Sequence, residues 1–338
     1  MSTFTRRSTL GLMGGALATP FLVRSARAGT AVSVGALRFV SHAPSYIAQE
    51  RGYFAEAGLD VEFDFFEAAQ PMAVAIASGD TGYAMTAISG GLISLAEKGV
   101  TKVIGGALSE EKGISGQKIL ASNAAFEAGL KTPADLDGRS FGMTQAGSSF
   151  HYMGSRIAAA EGVSLKYKPL QKTGAVIGAI KSGQIDAWSI VPHIAKPLAD
   201  AGAVQIIGEV ADYIPDYQVT TVFTSAKTAE NETEQTRAFL QALSRGAADF
   251  NAALIDQTAD EAEREAVIAL LASYVYPDRS LEDARDPIVN GAMRINADMA
   301  LNRNSVMDQL DWFKSEDLVK SSISYETLVD ESYVDILS

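Results

Sequence analysis

Residues 140–162, SFGMTQAGSSFHYMGSRIAAAEG, decide how this chain is read. Ser140 to Met143 is a short apolar run of strand length. Thr144 to Ser148 is a polar loop containing Gly147, and from Ser149 to Glu161 the chain reads as a helix that Gly162 stops. Strand, loop and helix make one βα unit, and the unit recurs on both sides. Downstream, strands are expected over 167–170, 187–190 and 205–208, with helices over 173–182 and 192–201. Upstream, strands are expected over 32–40, 61–66, 82–85 and 102–108, with helices over 45–57, 72–78 and 89–98. This alternation is the signature of an α/β protein with largely parallel sheets.

After Val222 strands give out and helices dominate. Between 232 and 257, Phe239, Leu243, Phe250 and Leu254 recur at i, i+4, i+11 and i+15, one apolar stripe at helical period. Further helices are expected over 260–274, 280–291 and 304–314. Two sheet-forming units followed by a helical tail predict two lobes: 29–113 with 218–338, and 114–217. The joints fall over 112–118 and 212–221, both rich in Gly, Pro or polar residues, and the tail should pack back on the first lobe. Parallel α/β sheets bind ligands at the carboxyl ends of their strands, so two such sheets joined by paired crossings would face those ends into one cleft.

The chain has 338 residues, 47% hydrophobic and 20% charged, the composition of a globular protein. Its first 28 residues hold Arg6, Arg7, Arg24 and Arg27 and no acid. Paired Arg before the mild, Gly-containing apolar stretch 11–23 resembles a twin-arginine export signal more than a Sec signal, which is usually richer in Leu. Ser25-Ala26-Arg27-Ala28 carries the small-x-small pattern of a signal-peptidase site, so cleavage is expected after Ala28 and the mature chain in a periplasm. The apolar stretch is too short for a membrane span. Without those residues, 24 basic stand against 41 acidic side chains, a net charge of −17. That charge repels phosphate backbones and anionic lipid surfaces. The absence of Cys excludes disulfides, thiol nucleophiles and Cys-ligated zinc.

Candidate site residues stand where strands end. The first strand runs into Ser41 and His42, the third into Thr86 and Ala87, the first of the second unit into Gly147, Ser148, Ser149 and His151, and the strand at Trp188 into His193. All three His of the chain follow an expected strand and stand near a helix start. Each alone could be structural, but three at equivalent junctions favour a cleft lining. Gly147-Ser148-Ser149 opens a helix, where unpaired N–H groups and the dipole favour an anion. A neutral polar heterocycle would use the same hydroxyls between aromatics such as Tyr46, Phe150, Trp188, Tyr213 or Tyr217. Arg38 and Arg156 could reach such a cleft, although surface ion pairing is the plainer reading of Arg156. No His pair stands at i, i+4, no acidic cluster has EF-hand spacing, and no nucleotide or G-x-S-x-G motif appears, so neither metal nor cofactor is expected. If His42 or His151 must be protonated to hold an anion, affinity should fall as pH rises through 6–8.

Ala43-Pro44-Ser45-Tyr46-Ile47-Ala48, Arg51-Gly52-Tyr53-Phe54 and Ala57-Gly58-Leu59-Asp60-Val61-Glu62 resemble the opening of periplasmic solute-binding proteins for nitrate, sulfonates, taurine and thiamine-pyrimidine precursors. Ala77-Ser78-Gly79-Asp80, Thr132 to Arg139 and Ile180 to Ala187 continue the resemblance, which spans about 32–225. It implies a type II periplasmic binding protein fold, with two α/β lobes, two hinge crossings and a helical C-terminal extension. It also implies a monomer that closes around a small ligand and delivers it to an ABC permease and ATPase. Carried over, ligand contacts would fall on Ser41, His42, Thr86, Ala87, Gly147, Ser148, Ser149, His151, Trp188 and His193. A small organic anion, a sulfonate or carboxylate with or without an aromatic ring, is preferred to a neutral pyrimidine. Related pyrimidine-synthesising enzymes carry a Cys-rich motif, which this chain lacks, and menaquinone-pathway lyases of this scaffold are cytoplasmic. The resemblance therefore implies a binding protein and no enzyme.

Overall fold

The computed structural model describes residues 29–111 and 113–337; the expected export signal and cleavage site lie outside them. The first lobe opens with β1 (Thr30–Ala36), a 3-10 turn (Val40–His42), α1 (Ala43–Glu50) and α2 (Tyr53–Glu56). The single helix expected over 45–57 is thus two, because the backbone turns left-handed at Gly52, φ 72°. Next come β2 (Leu59–Phe65), α3 (Ala69–Ser78), β3 (Tyr83–Thr86), α4 (Gly90–Glu97) and β4 (Thr101–Gly106). The second lobe holds β5 (Lys118–Ser122), α5 (Asn123–Glu127), β6 (Ser140–Met143), α6 (Ser149–Glu161), β7 (Lys166–Pro169), α7 (Thr173–Lys181), β8 (Ala187–Ile190), α8 (Pro192–Asp200) and β9 (Val204–Glu209). The chain then returns as β10 (Thr221–Ser225).

Both sheets have five strands, ordered β2-β1-β3-β10-β4 and β7-β6-β8-β5-β9. Each is mixed rather than wholly parallel: β10 runs antiparallel between β3 and β4, and β5 antiparallel between β8 and β9. In both cases the antiparallel strand is the first laid down after the chain crosses between lobes, which is why it enters from the opposite end. Neither strand was expected from the βα rhythm.

The crossings run side by side and are zipped together. Ala107 N–H donates to Thr220 O at 3.0 Å, Val219 N–H to Leu108 O at 2.8 Å, Glu110 N–H to Tyr217 O at 2.9 Å and Val210 N–H to Gln117 O at 2.9 Å.

The tail comprises α9 (Ala226–Asn231), α10 (Thr233–Phe250), α11 (Glu261–Val275), α12 (Leu281–Asn290) and α13 (Arg303–Ser315). The apolar stripe of α10 is buried, with Phe239 stacked on Phe54 and on Tyr83 at 5.4 and 4.2 Å. On α11, Tyr274 stacks on Tyr46 at 4.4 Å. The tail thus packs on the first lobe, as expected, but it also reaches the second in two places. Helix α12 packs on α8, and Gly291 just beyond it comes so close that a Cβ there would stand 2.2 Å from His193 Cβ. Tyr276 Oη donates to His193 O at 2.8 Å, and Lys196 Nζ to Asn290 O at 2.7 Å. Helix α13 clasps α6: Trp312 Nε1 donates to Ser155 Oγ at 2.9 Å, Tyr152 Oη to Asp308 at 2.6 Å, and Arg156 pairs with Asp308 at 3.0 Å.

Candidate functional site

Between the lobes lies a cavity of about 60 Å³. Five helices begin at it, because each of their first or capping residues belongs to its wall: His42 before α1, Ala68 and Ala69 at α3, Ser148 and Ser149 at α6, Thr173 at α7 and Val191 at α8. This follows from the topology, since a helix that succeeds a parallel strand starts at that strand's carboxyl end. Thr86 and Ala87 leave β3 on the same side, while Gln117 and Thr220 come from the two crossings. Hydroxyls of Ser41, Thr86, Thr144, Ser148, Ser149, Thr173 and Thr220 alternate with the apolar faces of Leu37, Phe39, Leu108, Phe150, Ile190, Val191 and Val219. Among the described residues no Asp, Glu, Lys or Arg lines this cavity.

Of the ten candidate residues, Ser41, His42, Thr86, Ala87, Ser148 and Ser149 meet in this wall; Gly147, His151, Trp188 and His193 do not. Gly147 instead joins the lobes, its carbonyl accepting from Gly90 N–H at 2.9 Å. The His151 ring turns away between Tyr167 and Trp312, with centroids at 4.3 and 5.2 Å, and its Nδ1 accepts from Gly147 N–H. Trp188 sits one layer back, edge-on to Phe150 at 5.3 Å. His193 is buried against Phe39 at 5.2 Å and under Gly291. All three imidazoles are buried, and one faces the cavity.

Burial holds His42 and His193 down to about 3, His42 adding to the effect at His193, and burial lowers His151 as well, against the opposing charge of Glu316. A protonated imidazole holding the ligand is therefore corrected: these rings are neutral at physiological pH, since closed apolar walls disfavour the charged form. Leu37 N–H donates to His42 Nε2 at 3.4 Å, so the neutral ring carries its hydrogen on Nδ1, which has no partner within the protein. Arg38 is likewise spoken for, donating to Tyr274 O at 2.8 Å and lying over the Phe65 ring, and Arg156 is paired with Asp308. Tyr46 is a core residue whose Oη donates to Leu37 O. Tyr213 bonds Glu161, and Tyr217 is fully buried outside the cavity wall.

Sequence reasoning missed Thr144, Thr173, Gln117, Thr220 and Phe39. Thr173 opens a helix after a strand and satisfies the rule that singled out Ser149. Gln117 and Thr220 stand on irregular crossings, where no periodicity marks them. Behind Gln117, whose N–H donates to Glu110 Oε1 at 3.0 Å, burial pushes the Glu110 carboxyl up to about 7 against the lowering effect of that N–H. Among the described residues no group of three or more His, Cys, Asp or Glu could hold a metal, and no helix is long and apolar enough to cross a membrane.

Two mixed α/β sheets closing helix starts over a single cavity define the periplasmic binding protein fold. The alkanesulfonate-binding protein SsuA of Xanthomonas axonopodis pv. citri, bound to MOPS, superposes with a TM-score of 0.71 at 17% identity, over 90% of this chain and 99% of that one. The periplasmic aliphatic sulphonate binding protein SsuA of Escherichia coli gives 0.68 at 18%, covering 91% and 94%. The periplasmic nitrate-binding protein NrtA of Synechocystis PCC 6803 gives 0.66 at 15%, covering 88% and 84%. Residues 40–253, more than half of the chain, match the family described as NMT1/THI5 like, and the chain belongs to that family. No curated protein sequence matches it.

Proposed function

We propose that this protein is the extracytoplasmic solute-binding component of an ABC import system and captures a small organic anion, a sulfonate or carboxylate, by closing its lobes. The observation that carries this reading is the convergence of five helix starts from both lobes on one hydroxyl-lined cavity free of carboxylates. Helix N-termini present N–H groups and the positive end of the dipole, and hydroxyls donate without a formal charge. The chain's overall negative field opposes an anion only weakly, because salt screens it beyond about 8 Å. A ligand that touches both lobes favours the closed form by its differential affinity for that form. An alkanesulfonate-binding protein and a nitrate-binding protein share this fold and give the anion reading its precedent. In this reading the export signal is removed after Ala28, the crossings near 113 and 217 are the hinge, and the mature protein is a periplasmic monomer that hands its cargo to a permease and ATPase. In this reading the protein binds its cargo and releases it unchanged.

A thermal-shift screen of the mature protein against sulfonates, carboxylates, nitrate and pyrimidines tests the proposal. A cognate ligand at 100 times its Kd should stabilise by about 2.7 kcal/mol. Stabilisation by pyrimidines alone would replace the anion with a neutral heterocycle held between Phe39 and Phe150.

A further inference from the structure

The cavity wall also bears on what its cargo cannot be. Its polar groups are hydroxyls, the His42 imidazole and the Gln117 amide, and the rest is apolar. His42 is 1% exposed and its Nδ1 keeps no partner within the protein, whereas the Gln117 amide, 2% exposed, lies beside the Glu110 carboxyl. Nδ1 carries the hydrogen of the neutral ring, which calls for an acceptor on the ligand. Two carboxyls stand near the wall: Glu67, beside Ala68, is paired with Lys172 at 3.1 Å, and Glu110 lies behind Gln117. Neither lines the cavity: of Glu110, Oε1 takes the Gln117 N–H, Oε2 is buried against Gly116, and the residue lines the neighbouring groove. An ammonium group entering here would be stripped of water beside helix N-termini of the same sign, with no carboxylate to pair it.

Resting on the anion reading above, we infer that this site selects anions without a cationic group and rejects amino-sulfonates and amino acids of the same size. The rejection comes from the missing acid, not from shape, because an ammonium and a methyl group are nearly isosteric.

Isothermal titration of the mature protein with two matched pairs tests this: propane-1-sulfonate against 2-aminoethanesulfonate, and butanoate against 3-aminopropanoate. In at least one pair the methyl-ended ligand should bind at least a hundredfold more tightly than its amine. Placing an acid in the wall should narrow that ratio at least tenfold. Ala69→Asp and Ser149→Asp serve, since both positions are half-exposed first residues of a helix, where Asp is well tolerated. Equal binding of a methyl-ended ligand and its amine by the unmodified protein would overturn the inference while leaving the anion reading standing. So would folded Asp variants, each still binding the methyl-ended ligand, whose ratios stay unchanged. Absence of binding by all four ligands and by every other anion of the screen would overturn the anion reading itself, and this inference with it.

Discussion

Across the cavity the two lobes face each other with no Asp, Glu, Lys or Arg among the described residues of the wall. Where the tail reaches over, they are fastened by the Arg156–Asp308 pair, the Trp312 hydrogen bond to Ser155 and the close seating of Gly291 on His193. The cavity is assembled from short junctions after strands, scattered over both lobes. The clasps come from helices near the chain's end. Under the proposed function, recognition and closure would be carried by different parts of the chain: the wall would decide which ligand is held, and the clasps would set how readily the lobes shut around any ligand.

The sharpest way to break this division is Trp312→Ala. Trp312 is buried among His151, Tyr152 and Phe313, and its loss should destabilise the protein by about 3–5 kcal/mol in urea denaturation. Affinities for all ligands should weaken by one common factor, leaving their ratios unchanged. Ratios that shift with this substitution would mean that the clasp takes part in recognition.

Next in size is a pH effect centred on Glu110, which stands on a crossing between the two lobes. Its carboxyl ionises near 4.5 in an unfolded chain and near 7 here. The unfolded state therefore loses this proton first, and stability falls as pH rises from 4.5 through 7, by about 3 kcal/mol at most. His42 and His193, held near 3 instead of 6.5, act with the opposite sense: stability falls as pH drops below 6.5. Glu110→Gln should raise the Tm at pH 8 and leave it nearly unchanged at pH 4. Thermal unfolding at both pH values checks this, and a variant no more stable than the original at pH 8 would remove Glu110 from the account.

The smallest effect sharpens the other side of the comparison. Ser148 caps α6, its Oγ accepting from His151 N–H, and also lines the cavity. Ser148→Ala should cost about 1 kcal/mol of stability. Unlike the Trp312 substitution, it should change the ratio of affinities between a sulfonate and a carboxylate when both are titrated.

Much of the fold was legible because the βα rhythm is punctuated by glycines at helix ends. What escaped were β5 and β10, five residues each, lying where the chain had just crossed between lobes. Buried on both faces, they show no alternation, and KILAS and TVFTS are too short to declare themselves. At the site, the junction rule brought Ser41, His42, Thr86, Ala87, Ser148 and Ser149 to one wall. It failed for His151 because two residues along a helix is a turn of about 200°, which carries a side chain to the far face. It failed for Trp188 differently: Trp188 and Ile190 share a face of β8, but Phe150 covers the tryptophan and Ile190 reaches the cavity. Which residues stand near a cleft can be read from strand ends. Which way each one points depends on rotations that a linear string does not display.

Gly291 is the end of an expected helix by sequence and a bearing surface by geometry. A methyl group there would have to occupy space already taken by the backbone and Cβ of His193. Even alanine would act as a doorstop, propping the two halves ajar from behind His193 and the Phe39 it packs on. If the lobes close on a ligand as proposed, its retention is vulnerable to a change that touches no cavity-lining residue, and a map of tolerated substitutions drawn from the cavity alone would overlook it.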